Sequence, residues 1–175
     1  MRRFYRLRED KVGTATVEFA IVLPLMLMLA FAVLETTLAV MGSMFLTNAA
    51  EAVADIVAQQ NSAGWSVSNV CTAGQLSMTP LSGTPLKVAI ASVTNTGGSP
   101  TLNWQDTSCG NASTIANVTS LAAPLVPKNG DSAIVVQATY TYATSTALQY
   151  LFTPTINMQQ NSIQRPRNGS TVPAP

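Results

Sequence analysis

Catalysis needs groups that move protons, attack carbon or phosphorus, or hold metals, and this sequence carries few of them. None of its 175 residues is a histidine, which removes the commonest general base and the commonest zinc ligand. Past residue 60 the acids are Asp106 and Asp131 and the lysines Lys87 and Lys128. The two acids fall at strand–turn junctions, where Asp commonly turns the chain, and neither lysine has a nucleophile beside it. Cys71 and Cys109 are 38 residues apart with no CxxC pair, so a zinc or iron–sulfur site is not expected. The glycines of "TGGS" (96–99) read as a hairpin turn, not as a phosphate cradle. These residue types point to a protein without catalysis, cofactor or metal. What stays unexplained is a pair of acids in apolar surroundings, Glu18 and Glu35, and a glycine, Gly13, five positions before the first.

The elements around these residues explain the surroundings. Five of the nine Lys and Arg residues (Arg2, Arg3, Arg6, Arg8 and Lys11) fall in the first eleven positions. After Gly13 four basic residues face six acids, so nothing there forms a basic patch for nucleic acid. From Phe19 to Leu34 runs an unbroken apolar stretch, and past Glu35 the sequence "TTLAVMGSMFL" stays mostly apolar. Sixteen helical residues rise roughly 24 Å, close to the ~30 Å of a hydrocarbon core. A single transmembrane helix over about 17–41 is predicted, with the basic N-terminus in the cytoplasm and the rest across the membrane. Met26, Met28, Met41 and Met44 read as lipid-facing or packing residues. On the exported side two cysteines imply one disulfide, Cys71–Cys109, with two buried thiols as the alternative.

The helix is expected to outlast the membrane. "TNAAEAVADIVAQQ" (47–60) is rich in helix formers, with Ala49, Ala50, Val53, Ile56 and Val57 at helical spacing and Glu51 and Asp55 on one solvated face. One helix over 14–60 is predicted, stopped by "NSAGW". From residue 66 Ser, Thr, Asn, Gly and Pro dominate. Residues 86–96 and 100–107 read as a β-hairpin with Leu102 and Trp104 on one face. Residues 110–131 read as a loop with one short helix near Ser120. "SAIVVQATYTYATST" (132–146) is the clearest strand, with Ile134, Val136, Ala138, Tyr140 and Tyr142 on one face. Final elements are expected over 147–152 and 156–164. The expected fold class is α+β: a long N-terminal helix packed, through Val53, Ile56 and Val57, on a small, mostly antiparallel sheet. The expected division is a basic leader (1–13), a transmembrane and periplasmic helix (14–60), a small β-rich periplasmic domain (61–164) and a flexible tail (165–175).

The stretch "GTATVEFAIVLPLMLMLAFAVLE" resembles the N-terminus of TadE-like proteins, minor pseudopilins of the tight-adherence (Flp) pilus system of bacteria. "NAAEAVADIVAQQ" resembles their alanine-rich continuation, and "VVQATYTYATST" and "IQRPRNG" their closing strands. The likeness covers about residues 10–60 and 132–168. It implies a type IV prepilin-peptidase site: cleavage after Gly13, whose missing side chain lets backbone enter the peptidase, leaving Thr14 with a new α-amine. It implies that Glu18, followed by the aromatic Phe19, meets such an amine on a neighbouring subunit, so that the acid is tolerated only when paired. Glu35 is either a polar contact with a partner helix or an acid reaching the outer interface. The implied partners are a prepilin peptidase, other minor pseudopilins, the major Flp pilin, the inner-membrane secretion platform and the lipid bilayer, with incorporation in a surface pilus as a further possibility. Two other readings stand beside this one. A signal-anchored periplasmic binding module unrelated to pili is the first. A secreted protein with a signal peptide ending near "LAFAV" is the second, opposed by the length of the apolar span.

Overall fold

The computed structural model describes residues 12–61, 63–143, 155–167 and 171–175. The basic leader through Lys11 and the element expected over 147–152 lie outside the described residues. The chain divides into two compact units, Met1–Leu38 with Thr144–Thr153, and Ala39–Ala143 with Pro154–Pro175.

The first element, α1, is a helix over Val12–Ala58. Its composition favours it: Ala, Leu and Met predominate, and Pro24 removes a single backbone donor, freeing the carbonyl of Ala20. Within the first unit every residue from Ala15 to Leu34 except Phe31 is exposed, including Ile21 at 72% and Phe19 at 60%. The hydroxyls of Thr36 and Thr37 donate back to the carbonyls of Ala32 and Val33, at 2.8 and 2.9 Å. Each threonine therefore satisfies its donor inside the helix and presents a methyl group outward. The segment is long and apolar enough to cross a membrane and fits a single-pass anchor.

In the second unit the same helix changes character. Leu46, Ala49, Ala50, Val53 and Val57 are all at most 1% exposed, a stripe at i, i+3, i+4, i+7 spacing. Ile56, expected in the stripe, is only half-buried. The stripe lies with α2 (Val67–Ser77) against the sheet. A Cβ on Gly74 of α2 would stand 2.9 Å from Val53 Cγ2 and 3.5 Å from Leu86 Cδ2, so helix, helix and strand meet at a point only glycine allows. The sequence suggested no helix at 67–77. Its start is a local signal, Ser66, whose side chain accepts from the Asn69 N–H.

The sheet has four antiparallel strands in the order β2-β1-β3-β4: β1 Leu86–Thr96, β2 Ser99–Cys109, β3 Ser132–Ala143 and β4 Thr155–Gln164. Gly97 and Gly98, both with positive φ, form the β1–β2 turn. Both faces of the two central strands are covered. Ile134, Val136 and Ala138 of β3 are fully buried, with Leu86, Val88 and Ile90 of β1; by strand alternation they share the face that Leu86 turns toward the helices. On the other face Ala89, Ala91, Val93, Ala133 and Val135 pack under Ile115, Val118, Ala122 and Val126 of the β2–β3 connection. That connection holds the short helix α3, Val118–Ala122, near the expected Ser120.

Two expectations need correction. The β1–β2 register shifts between Ser92 and Val93, so that Ser92 pairs with Trp104 and Val93 with Leu102. Successive strand residues face opposite ways, so this bulge sends Leu102 and Trp104 to opposite faces. The tail expected to be flexible is docked at its described residues. Val172 is 2% exposed, and its carbonyl accepts from Trp104 Nε1 at 2.9 Å.

Asn95 ties the hairpin to the β2–β3 connection. It is 3% exposed; its side chain donates to the Val126 carbonyl at 2.8 Å and accepts from the Gly98 N–H at 3.0 Å. Asn95→Ala strands a buried carbonyl. It is expected to cost about 1–3 kcal/mol, read as a lower thermal midpoint of the full chain in detergent.

Candidate functional site

The residues singled out at the N-terminus all lie on α1. Gly13 is exposed in its first turn, with nothing within 4 Å of a Cβ placed there. Glycine in a helix costs about 1 kcal/mol relative to alanine, so this turn is weakly held. No acid stands in that turn to favour it through the helix dipole. Thr14 and Glu18 are four apart in the helix, which places them on one side, one turn and about 6 Å along the axis from each other. Glu18 and Phe19 are exposed.

Glu35 differs. It is 8% exposed, while Leu34 beside it is 53% exposed, and it is engaged in an interaction within the chain. Further along, in the second unit, Met41, Met44, Phe45, Thr47 and Asn48 line an open hollow of about 440 Å³. Methionines adapt their shape to whatever packs on them, and Met44 is 63% exposed.

The far end of α1 is held by the C-terminus. Arg167 donates its backbone N–H to the Ala58 carbonyl at 2.8 Å, capping one of the helix's open carbonyls. Its guanidinium pairs with Asp55, so that of the two acids expected on a solvated face, Glu51 is exposed and Asp55 is paired. Beyond Arg167, two tryptophans grip the last residues. Trp104 donates to the Val172 carbonyl at 2.9 Å and Trp65 to the Pro173 carbonyl at 3.0 Å. Their ring centres lie 5.9 Å apart at 55°, inside the range of favourable tilted aromatic pairs. The sequence reading placed Trp65, Trp104 and Arg167 in local elements and gave none of them, nor Val172, a part in holding the C-terminal residues. The available signal was the alternation "VPAP", which is stiffer than a solvated tail requires.

Cys71 of α2 and Cys109 at the end of β2 form a disulfide with a Cα–Cα separation of 5.6 Å. It fastens α2 to the edge of the sheet, and Gly110 follows it at φ +68°, where a Cβ would meet the Leu86 carbonyl at 2.6 Å. Among the described residues no group of three or more His, Cys, Asp or Glu side chains is gathered as a metal site.

With this geometry in place, one comparison bears on the helix. Residues 13–55 match the family model of TadE-like proteins. The match begins at Gly13, takes in Glu18 and Glu35, and ends at Asp55. It does not reach the strands at 132–168, where the resemblance had also been drawn. No curated protein and no solved structure matches the chain. The TadE-like match suggests involvement in tight-adherence pilus assembly. It covers the outward-facing apolar stretch of α1 and most of its buried stripe.

Two substitutions separate the strong fastening from the weak one. Cys71→Ser with Cys109→Ser opens a 38-residue loop and is expected to cost about 2–4 kcal/mol by thermal melting. Arg167→Ala breaks a pair whose side chains are 57% and 36% exposed, and its charge contribution is expected to stay below about 1 kcal/mol.

Proposed function

We propose that this protein is a membrane-anchored minor pseudopilin that acts without catalysis in assembling or initiating a tight-adherence pilus of the Flp type. The observation that carries the reading is helix α1: TadE-like in sequence from Gly13, outward-facing and apolar over one unit, with a lone exposed acid one turn beyond the proposed cut. An acid at the edge of an apolar span is unfavourable for an isolated helix and favourable in a bundle that supplies a cation. α1 spans the inner membrane with its N-terminus in the cytoplasm, and the sheet unit folds in the periplasm, in keeping with the basic leader. The prepilin peptidase removes residues 1–13. Glu18 then pairs with the Thr14 amine of a neighbouring pseudopilin or pilin and sets the register between helices. Phe19, exposed beside Glu18, contributes to the same helix–helix contact.

The intact mass of the protein extracted from membranes tests the processing step. The expected mass lacks residues 1–13, and Gly13→Leu is expected to leave the full-length form. An uncut chain that never associates with pilus components favours a signal-anchored binding module; a cut near Ala32 favours a secreted protein. Glu18→Ala is expected to leave membrane insertion unchanged and to reduce piliation and crosslinking to partner helices. Normal piliation in that variant contradicts the pairing role.

A further inference from the structure

The second unit has an end near the bilayer and an end far from it, and its own contacts tell them apart. The span expected from the sequence closes at about residue 41, inside this unit, which begins at Ala39. A Cβ on Gly42 would stand 3.4 Å from Leu81 Cδ1 and 3.7 Å from Met158 Sδ. The chain before β1 and the start of β4 therefore lie level with the point where α1 leaves the apolar layer. Roughly 24 Å further up the helix, the Ala58 carbonyl accepts the Arg167 N–H. β4 thus runs outward alongside α1. The strand register carries the near level across the sheet, since Met158 pairs with Tyr140 and Tyr140 with Leu86.

Charge is spread unevenly between the two ends. Lys128 and Asp131 stand at the far end, next to Asn95. Among the described residues of the near end, 39–48, 78–88, 138–143 and 155–160, Lys87 is the only charged side chain. It is exposed and lies opposite Thr139, which lies opposite Gln159, so the three form one row on the sheet face turned away from α1. The apolar layer on that face ends at Ala89, one step short of this row. Below it opens a pocket of about 300 Å³ lined by Lys87, Ser113, Thr139, Thr141, Asn157 and Gln159, and among the described residues no acid lines it. The Thr141 hydroxyl donates to Asn157 Oδ1 at 3.0 Å, which leaves the Asn157 amide nitrogen to donate. An ammonium, hydroxyls and an amide N–H without a carboxylate make a set of donors for an anion. We propose that this pocket binds the phosphate of an anionic phospholipid of the bilayer that α1 enters. Lys87 supplies the charge; Thr139, Ser113 and Asn157 supply hydrogen bonds. At the bilayer surface the abundant anion is a lipid phosphate. The second contact stops the sheet unit from swivelling about α1. It rests on the reading of α1 as a membrane anchor and not on the pilus role.

Amine acetylation of the full chain in lipid nanodiscs tests this, with peptide mass spectrometry reading Lys87 against Lys128. Lys128 is exposed at the far end and serves as the internal reference. Discs of phosphatidylcholine containing phosphatidylglycerol are expected to slow Lys87 relative to Lys128 about fivefold compared with phosphatidylcholine alone. A negative surface slows any amine close to it. Asn157→Ala and Thr139→Val leave the surface charge unchanged and remove pocket donors, so each is expected to restore about half of the lost reactivity. Inorganic phosphate added to neutral discs is expected to protect neither lysine. A Lys87-to-Lys128 ratio that is the same in both kinds of disc overturns the proposal. So does full slowing in both variants, which is a surface effect without a site, and so does protection by inorganic phosphate alone, which makes the ligand a soluble phosphate. A chain that does not enter the discs at all overturns the anchor reading, and the proposal with it.

Discussion

A single helix has to satisfy two different surroundings, and the rest of the molecule follows from that constraint. Over one stretch α1 turns Val, Ile, Leu, Met and Phe outward, which water would not tolerate for a run of that length and a bilayer would. Over the next it presents only a stripe, Leu46–Ala49–Ala50–Val53–Val57, narrow enough to be covered by a small sheet and one short helix. The sheet in turn cannot stand alone. Its two central strands are apolar on both faces, so it needs α1 and α2 on one side and the 110–131 connection on the other.

The fastenings are concentrated where this three-layer unit is thinnest. β2 is an edge strand whose only buried residue is Cys109, with one end held by the Cys71–Cys109 disulfide and its middle bent by a bulge. The bulge aims Trp104 toward the chain's end, and Trp104 with Trp65 turns the last residues into part of the unit. Arg167 closes α1. A small domain with few charges thus relies on directional contacts to loops and termini, in addition to buried area, for a single arrangement.

Much of this was legible in the sequence for definite reasons. The length of α1, the stripe at Val53 and Val57, the hairpin around Gly97–Gly98 and the strand from Ser132 follow from periodicity and turn chemistry, which are local. The disulfide followed from the exported setting of two cysteines. The helix at 67–77 did not, because Ser, Asn and Thr dilute its apolar pattern, and its burial depends on Gly74 meeting Val53 and Leu86, contacts remote in sequence. The faces of Leu102 and Trp104 were misjudged because a bulge inserts one residue without a sequence mark. The docked C-terminus was missed because its partners, Trp65 and Trp104, lie 108 and 68 residues from the carbonyls they bind. At the N-terminus Gly13, Thr14, Glu18 and Phe19 are brought onto one helix as expected, while Glu35 is 8% exposed, a burial that local periodicity does not encode.

The central claim is that the outward apolar stretch of α1 lies in a bilayer with the sheet unit on its far side. Thiol labelling of single-cysteine variants in intact cells, with a membrane-impermeant maleimide and a permeabilised outer membrane, addresses it most directly, since the native cysteines are bonded to each other. Asn61→Cys is expected to label at once, Arg3→Cys in the uncut Gly13→Leu chain only after lysis, and Ile21→Cys under neither condition. Ready labelling at Ile21, or labelling of Arg3→Cys before Asn61→Cys, contradicts it.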